Sequence, residues 1–312
     1  MAKPVVLMLN KALGLNNVSP PERLPFDPET GVAAFQASVN VEVEMTGLTR
    51  RIRGYTKRRE EASQDIFAAG GDCLLVSVSA LYRFNPVDFS RTGLRSGLTP
   101  GLKMRYLHVN DRIYYSNTAE NGSVQIGGAS YSWLPSGDYI GPETLRTYEP
   151  PPLFKHMELY NGRIYGATVD NDIYASAPRA FAWFNKADDV LPLSLQGLAV
   201  LGIAAVDSGF YVLSDKGIFY LHGEDIQSLA IRQVSDSPAK EDCVVKTLGQ
   251  NILRGKFQQY GKVVLAMTQS GLCALGNDGV FANLTYDSIE LPRCSGISMS
   301  LHKNRLYTLL KR

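Results

Sequence analysis

Residues 203–222 read IAAVDSGFYVLSDKGIFYLH, and residues 264–283 read VLAMTQSGLCALGNDGVFAN. Shifted by one residue, the two share a plan: an apolar strand, Ser-Gly, a second apolar strand, a turn, and a third apolar strand. The turns are Ser214-Asp215-Lys216-Gly217 and Gly276-Asn277-Asp278-Gly279. Such sequences supply the positive φ angles that tight hairpins need. A strand–turn–strand plan that recurs within one chain signals a repeat architecture, and this decides the fold class.

A second form of the unit recurs elsewhere. Residues 104–115 read MRYLHVNDRIYY, residues 154–165 FKHMELYNGRIY and residues 297–307 ISMSLHKNRLY. Each is a strand, a turn at Asn-Asp, Asn-Gly or Lys-Asn, and then Arg-Ile/Leu-Tyr opening the next strand. After two of them an aromatic pair follows at a similar offset, Tyr131 with Trp133 and Phe181 with Trp183. Residues 65–84 fit the plan more weakly, turning at Gly70-Gly71-Asp72 and at Ser79. Six units emerge, starting near residues 64, 104, 154, 200, 262 and 296. Their spacing, about 34 to 62 residues, covers a four-stranded propeller blade with variable loops.

The sixth unit stops two strands in, at Arg312. Residues 39–54 supply a counterpart, because Val39, Val41 and Val43 alternate with period two and Met45-Thr46-Gly47 reads as a turn. The expectation is an all-β, six-bladed β-propeller over 39–312, closed by an N-terminal hairpin that completes the C-terminal blade and removes two exposed sheet edges. The count falls to five if the first unit is irregular. Residues 1–38, with Ser19-Pro20-Pro21-Glu22-Arg23-Leu24-Pro25 and Asp27-Pro28, read as an extended arm with little helix or strand, lying across a neighbouring subunit. Residues 235–261 read as an insert between units.

Composition agrees with this class and narrows function. The 312 residues are 45% apolar and 20% charged, with 28 Gly, 16 Pro and 16 Tyr, a mix suited to short strands and tight turns. Thirty-two basic against 30 acidic residues leave a net charge of +2, which disfavours binding of polyanions by bulk charge. The apolar runs are too short to span a bilayer, and the N-terminal run Val5–Leu9 is too short for a secretory signal, so synthesis and retention in a cytoplasm are expected. Cys73, Cys243, Cys273 and Cys294 are widely spaced, which favours buried free thiols over a disulfide scaffold or a zinc site.

The search for chemistry gives a negative expectation: no catalytic residue, metal or cofactor. His108, His156, His222 and His302 sit in different repeats with different offsets to the following Arg, and read as structural or loop-facing rather than as ligands converging on the ring axis. Asp170-Asn171-Asp172 lacks the Gly and distal Glu of a calcium loop and reads as a turn. Asp188-Asp189 is an adjacent acidic pair that would need a carboxylate across a cleft to act as a glycosidase. The sialidase box, nucleophile elbow, zincin helix, P-loop and WD40 signatures are all missing from the sequence. Arg50, Arg51, Arg53, Lys57, Arg58 and Arg59 form a basic cluster next to Glu60 and Glu61, and Arg51, Arg53, Lys57 and Arg58 are the candidates for a charged contact. Pro20, Pro21 and Arg23 are the candidates from the arm. Trp133 and Trp183 are either blade-packing aromatics or platforms for a glycan.

Leu15-Asn16-Asn17-Val18-Ser19-Pro20-Pro21-Glu22-Arg23-Leu24, Ala37–Val41 and Arg50–Thr56 resemble the opening of a family of tailed-bacteriophage and prophage structural proteins. So do Arg112-Ile113-Tyr114-Tyr115-Ser116-Asn117 and the run from Ser270 through Gly279 to Thr285. The resemblance covers most of the chain, blade by blade. It implies a virion component rather than an enzyme: a tail nozzle or hub of the β-propeller type, made in the host bacterial cytoplasm and assembled as a homo-oligomeric ring. It further implies adaptor or portal proteins and fibre or tip proteins as partners, passing contact with DNA, and no membrane insertion. The chain is short for the large nozzles, so a peripheral tail or baseplate propeller is the variant. The competing expectations are a receptor- or carbohydrate-binding propeller at the tail tip and, third, a glycoside hydrolase using Asp188 or Asp189.

Overall fold

The computed structural model describes residues 63–137, 139, 146–252, 257 and 261–285, together with residue 23 and the strands at 11–15, 26–27, 32–35, 41–43, 49–51, 296–302 and 305–311. The described elements are β-strands and short 3-10 turns. Near the N-terminus, β1 (Lys11–Leu15), β2 (Phe26–Asp27) and β3 (Val32–Phe35) form a three-stranded sheet. The expectation of an arm with little strand is corrected here: Val32-Ala33-Ala34-Phe35 is a short apolar run between the prolines and the polar Gln36, long enough to pair with β1 on one side and β2 on the other. Next, β4 (Val41–Val43) and β5 (Thr49–Arg51) pair as an antiparallel hairpin, on the alternation read from Val41 and Val43.

Five antiparallel sheets follow in chain order, each an up-and-down meander of four strands. The first is β6 (Gln64–Ala69), β7 (Asp72–Ser77), β8 (Ala80–Phe84) and β9 (Arg91–Arg95). The second is β10 (Arg105–Val109), β11 (Arg112–Ser116), β12 (Asn121–Gln125) and β13 (Ser130–Tyr131). The third is β14 (His156–Tyr160), β15 (Arg163–Ala167), β16 (Ile173–Ala177) and β17 (Ala180–Phe184), extended by β18 (Val190–Leu191) on β16. The fourth is β19 (Val200–Ala205), β20 (Phe210–Ser214), β21 (Gly217–His222) and β22 (Ala230–Ser235). The fifth is β23 (Ala239–Leu248), β24 (Lys262–Thr268), β25 (Gly271–Leu275) and β26 (Phe281–Asn283). A hairpin of β27 (Gly296–His302) and β28 (Arg305–Lys311) comes last.

The first strands touch in series: β6 meets β10, β10 meets β14, β14 meets β19, β19 meets β23 and β23 meets β27. Sheets that touch through their first strands fan around a common axis, as propeller blades do. Among the described residues β10, β14, β19 and β23 are each flanked by two other inner strands, so the second to fifth sheets are covered on both faces. This explains why the strands read as apolar runs rather than as clean alternation. In β20, Phe210 and Val212 enter the cluster shared with the third sheet, while Tyr211 and Leu213 enter the cluster shared with the fifth. In β11, Ile113 and Tyr115 face the first sheet, and Tyr114 faces the third. Period-two side-chain geometry thus sends successive residues to opposite blade interfaces. Cys243 and Met267 of the fifth sheet pack with Ile297 of the last hairpin.

The hairpins read from MRYLHVNDRIYY, FKHMELYNGRIY and ISMSLHKNRLY are β10–β11, β14–β15 and β27–β28, each the first pair of its sheet. The two opening stretches of the sequence analysis have different phases: residues 203–222 run through strands one to three of their sheet, and residues 264–283 through strands two to four. The fifth unit consequently begins at Ala239, not near residue 262. Residues 239–248, expected within an insert, are its inner strand, because Val244-Val245-Lys246-Thr247-Leu248 pairs along β24 in continuous register. Among the described residues, β4–β5 and β27–β28 are separate two-stranded sheets.

Candidate functional site

The axis is lined by β6, β10, β14, β19 and β23, and four of these strands carry charge. In β6 and β23 an irregularity in register, between Gln64 and Phe67 and between Ala239 and Val244, brings an Asp into the left-handed region: Asp65 at φ 55° and Asp242 at φ 60°. Bulges of this kind re-aim a side chain out of the sheet, and Asp tolerates this backbone better than most residues. Asp242 is paired with Lys103, which precedes β10, and with Arg105 in β10. Asp65 accepts the Met104 N–H at 2.7 Å. Arg105 Nε donates to the Lys155 carbonyl at 2.9 Å, tying the second sheet to the third. Lys246 of β23 donates to both oxygens of Glu158 of β14 at 2.7 Å. The fourth sheet's inner strand, Val200-Leu-Gly-Ile-Ala-Ala205, carries no charge.

His156 is buried at the same level, its Nδ1 3.9 Å from Asp242 Oδ1. Burial, reinforced by the nearby Arg105 charge, pulls its imidazole down to about 3, so it is neutral at ordinary pH. Burial works against the Asp242 carboxylate, but Arg105 and Lys103 together outweigh it and hold the group below the usual range. Asp65 goes the other way: burial raises it, against the Met104 N–H and the same two cations.

His156, Glu241 and Asp242 offer ligand atoms within 4.8 Å of one another, a grouping that could hold a cation. Sequence reasoning missed this group because β23 had been read as an insert. Asp242 is already compensated by Lys103 and Arg105, so a cation would have to displace them against like charge. The arrangement ties the inner strands of the second, third and fifth sheets to one another.

Two of the grooves on the rim formed by the first and third turns of the sheets lie between neighbouring sheets. One, about 700 Å³, lies between sheets three and four and carries Asp207, Glu224 and Asp225 with Arg163 and Lys262. The other, about 430 Å³, lies between sheets two and three and carries Arg112, Tyr131, Arg179, Phe181 and Trp183.

The sequence-predicted residues fall as follows. Trp133 is buried, 2% exposed, donates its indole N–H to the Phe181 carbonyl at 2.9 Å, and packs on Tyr114, Phe154 and Phe184. It is a blade-packing residue. Trp183 is half-buried against Tyr139 and Tyr148 and borders the 430 Å³ groove. Asp189 is buried, with Arg146 at 2.9 Å and Arg163 at 3.6 Å. Asp188 is exposed and accepts from Asn185. His108 and His222 are exposed and lie on different strands from His156. Arg51 ends β5 opposite Val41, and Arg23 is exposed. Pro20, Pro21, Arg53, Lys57, Arg58 and Cys294 lie outside the described residues, as do the side chains of Arg51 and His302. Cys73 and Cys273 are free thiols, and Cys243 is buried. Among the described residues no helix is long and apolar enough to cross a membrane.

No family model and no curated protein matches the sequence. Solved structures do resemble the fold. A chain in the structure of S. cerevisiae Dbp5 bound to Nup159, Gle1, IP6 and ADP is 12% identical with a TM-score of 0.50, over 85% of this chain and 76% of that one. The extracellular domain assigned to a one-component system of B. thetaiotaomicron is 11% identical with a TM-score of 0.50, over 84% of this chain and 33% of that one. The Neurospora crassa Pan2 WD40 domain is 9% identical with a TM-score of 0.49, over 77% of this chain and 69% of that one. At these identities the likeness is one of fold alone; the four-stranded meanders that touch in series through their inner strands give the chain an all-β, propeller-type architecture.

Proposed function

We propose that the protein is a non-enzymatic virion component of a tailed bacteriophage, a hub- or nozzle-like β-propeller that holds neighbouring tail proteins. The observation that carries this reading is the tied axis. Lys103, Arg105, Asp242, Glu158 and Lys246 spend their charge on one another across the centre. Charges so paired are spent within the fold, and loops at the rims and edges are left for contact. Asp189, held between two arginines, is poorly placed to act as a hydrolase acid. The resemblance of residues 15–56 to phage structural proteins supplies the tail setting.

In the same reading the ring has six blades, and β4–β5 completes the blade begun by β27–β28. In support, β27–β28 has the phase of a first hairpin and packs on the fifth sheet as the other first strands pack on their neighbours. The partners are adaptor or portal proteins, fibre or tip proteins and further copies of the chain, with the strip from Arg51 to Arg58 as a charged contact.

The test is the mass of the purified protein followed by imaging of the particle that carries it. A regular multimer located at the tail is the expected result. A stable monomer that no particle contains would overturn the reading. Removal of residues 39–51 should lower the melting temperature sharply if the hairpin closes the ring, and leave it unchanged if it does not.

A further inference from the structure

The 430 Å³ groove between sheets two and three has a chemistry that the scaffold reading does not use. Its aromatic side is Tyr131, 48% exposed, with Phe181 and Trp183. Its polar side is Arg112, Arg179 and the hydroxyls of Ser123, Ser132 and Ser136. No carboxylate belongs to the described lining, so two guanidinium groups face the groove without an acid among the residues that form it.

Both arginines are positioned by turns. Arg179 sits at φ 57° in the two-residue turn between β16 and β17, and its N–H donates to the Gly162 carbonyl at 2.7 Å. This fixes one turn against the neighbouring β14–β15 turn. Its own side chain is exposed. Arg112 opens β11 directly after the Asn110-Asp111 turn, lies 5.5 Å over the Tyr131 ring, and donates to Ser123 Oγ at 3.3 Å. Trp133 underneath is locked by its own hydrogen bond, so the floor is preorganised.

We infer that this groove binds a carboxylated sugar, such as the terminal uronic or sialic residue of an acidic saccharide. The apolar face of a pyranose lies on Trp183, and its carboxylate is bridged by Arg112 and Arg179. Aromatic faces with a few convergent polar groups are the usual composition of a small-ligand site, and the volume falls in that range. Guanidinium groups match a carboxylate in a bidentate fork. A longer polyanion such as single-stranded nucleic acid fits less well. It needs a continuous cationic track, and the next groove along the rim carries Asp207, Glu224 and Asp225. A short ligand or a chain end satisfies both grooves.

The experiment titrates the full chain with trigalacturonate, with a sialic acid dimer and with neutral galactotriose, following heat and tryptophan fluorescence. One acidic saccharide should saturate with an affinity at least about tenfold above the neutral one, a difference of about 1.4 kcal/mol. Arg179→Gln, on an exposed side chain, should remove that preference while circular dichroism stays unchanged. The fluorescence response should persist in Trp133→Phe and vanish in Trp183→Phe. The inference is overturned if neither acidic saccharide saturates, if the neutral one binds as well, or if Arg179→Gln binds like the parent. It is also overturned if an oligothymidylate occupies the groove in place of the sugars. None of these outcomes bears on the tail reading, which rests on mass and particle imaging.

Discussion

Lys246 and Glu158 belong to sheets that do not adjoin, yet Lys246 Nζ lies 2.7 Å from both Glu158 carboxylate oxygens. The inner strand of the intervening fourth sheet, Val200–Ala205, carries no charged residue to compete with the pair. Glu158 is nearly inaccessible, whereas the Lys246 side chain is about half exposed. Removing the lysine therefore leaves a buried carboxylate without its cation. Lys246→Met should destabilise by roughly 3 kcal/mol, and adding Glu158→Gln should restore most of that, read as non-additivity in a urea double-mutant cycle. Additive losses would show that the pair is decorative.

Asp242 answers two cations at once, so its removal should cost more than loss of either of them. Asp242→Asn is expected to destabilise by roughly 3 kcal/mol, and Lys103→Ala, on a half-exposed side chain, by less than about 1 kcal/mol. Urea midpoints of the two variants give the ranking directly.

Acidification should weaken the fold through His156 before the carboxylates titrate. The unfolded chain takes up a proton near pH 6.5, while the buried imidazole resists until about 3. A group with a depressed folded value loses its stabilising contribution as pH falls through that window, here about 2 kcal/mol by pH 5. Asp242, also depressed, adds to the loss at lower pH, and Asp65, raised in the fold, partly opposes it just above the ordinary carboxylate value. His156→Gln should flatten the stability profile between pH 7 and 5. A parent protein equally stable at both would refute the buried neutral imidazole.

Gly166 and Gly122 each sit beneath an aromatic ring. A Cβ on Gly166 would overlap Phe154, and one on Gly122 would overlap Tyr115, its cross-strand partner. Phe154 is wedged among Trp133 and Phe184 and has nowhere to retreat. Gly166→Ala should therefore destabilise by about 2–3 kcal/mol, measured by thermal unfolding, where Gly93, with open space and an ordinary backbone, tolerates alanine.

The hairpins were legible because Asn-Gly, Asp-Lys-Gly and Asn-Asp-Gly turns announce themselves locally. Thus β10–β11, β14–β15 and β20–β21 lie where the turn residues put them. Phase was not legible in the fifth unit. A Ser-Gly turn between apolar strands looks the same whether it joins strands one and two or two and three, and it joins β19 to β20 in one sheet and β24 to β25 in another. The axial pairs were also hidden: Lys103 with Asp242 and Glu158 with Lys246 are distant in sequence, and only the fanning of sheets two to five about the axis brings them together. Trp133 and Trp183 looked equivalent by offset. Trp133 falls beyond the two-residue β13 and turns into the core, whereas Trp183 lies within β17 and borders a groove.

The tied axis also bears on how the chain reaches its final state. Each sheet is a meander of neighbours and can form early, with little loop entropy lost. The ties between Glu158 and Lys246 and between Lys103 and Asp242 span separations of 88 and 139 residues, so they await the winding of sheets two to five about the axis. Interactions made that late lie beyond the transition state and act on the escape rate rather than the entry rate. Lys246→Met should accordingly speed unfolding in a stopped-flow chevron and leave the refolding limb nearly in place, making the centre of the ring a latch that sets the protein's lifetime.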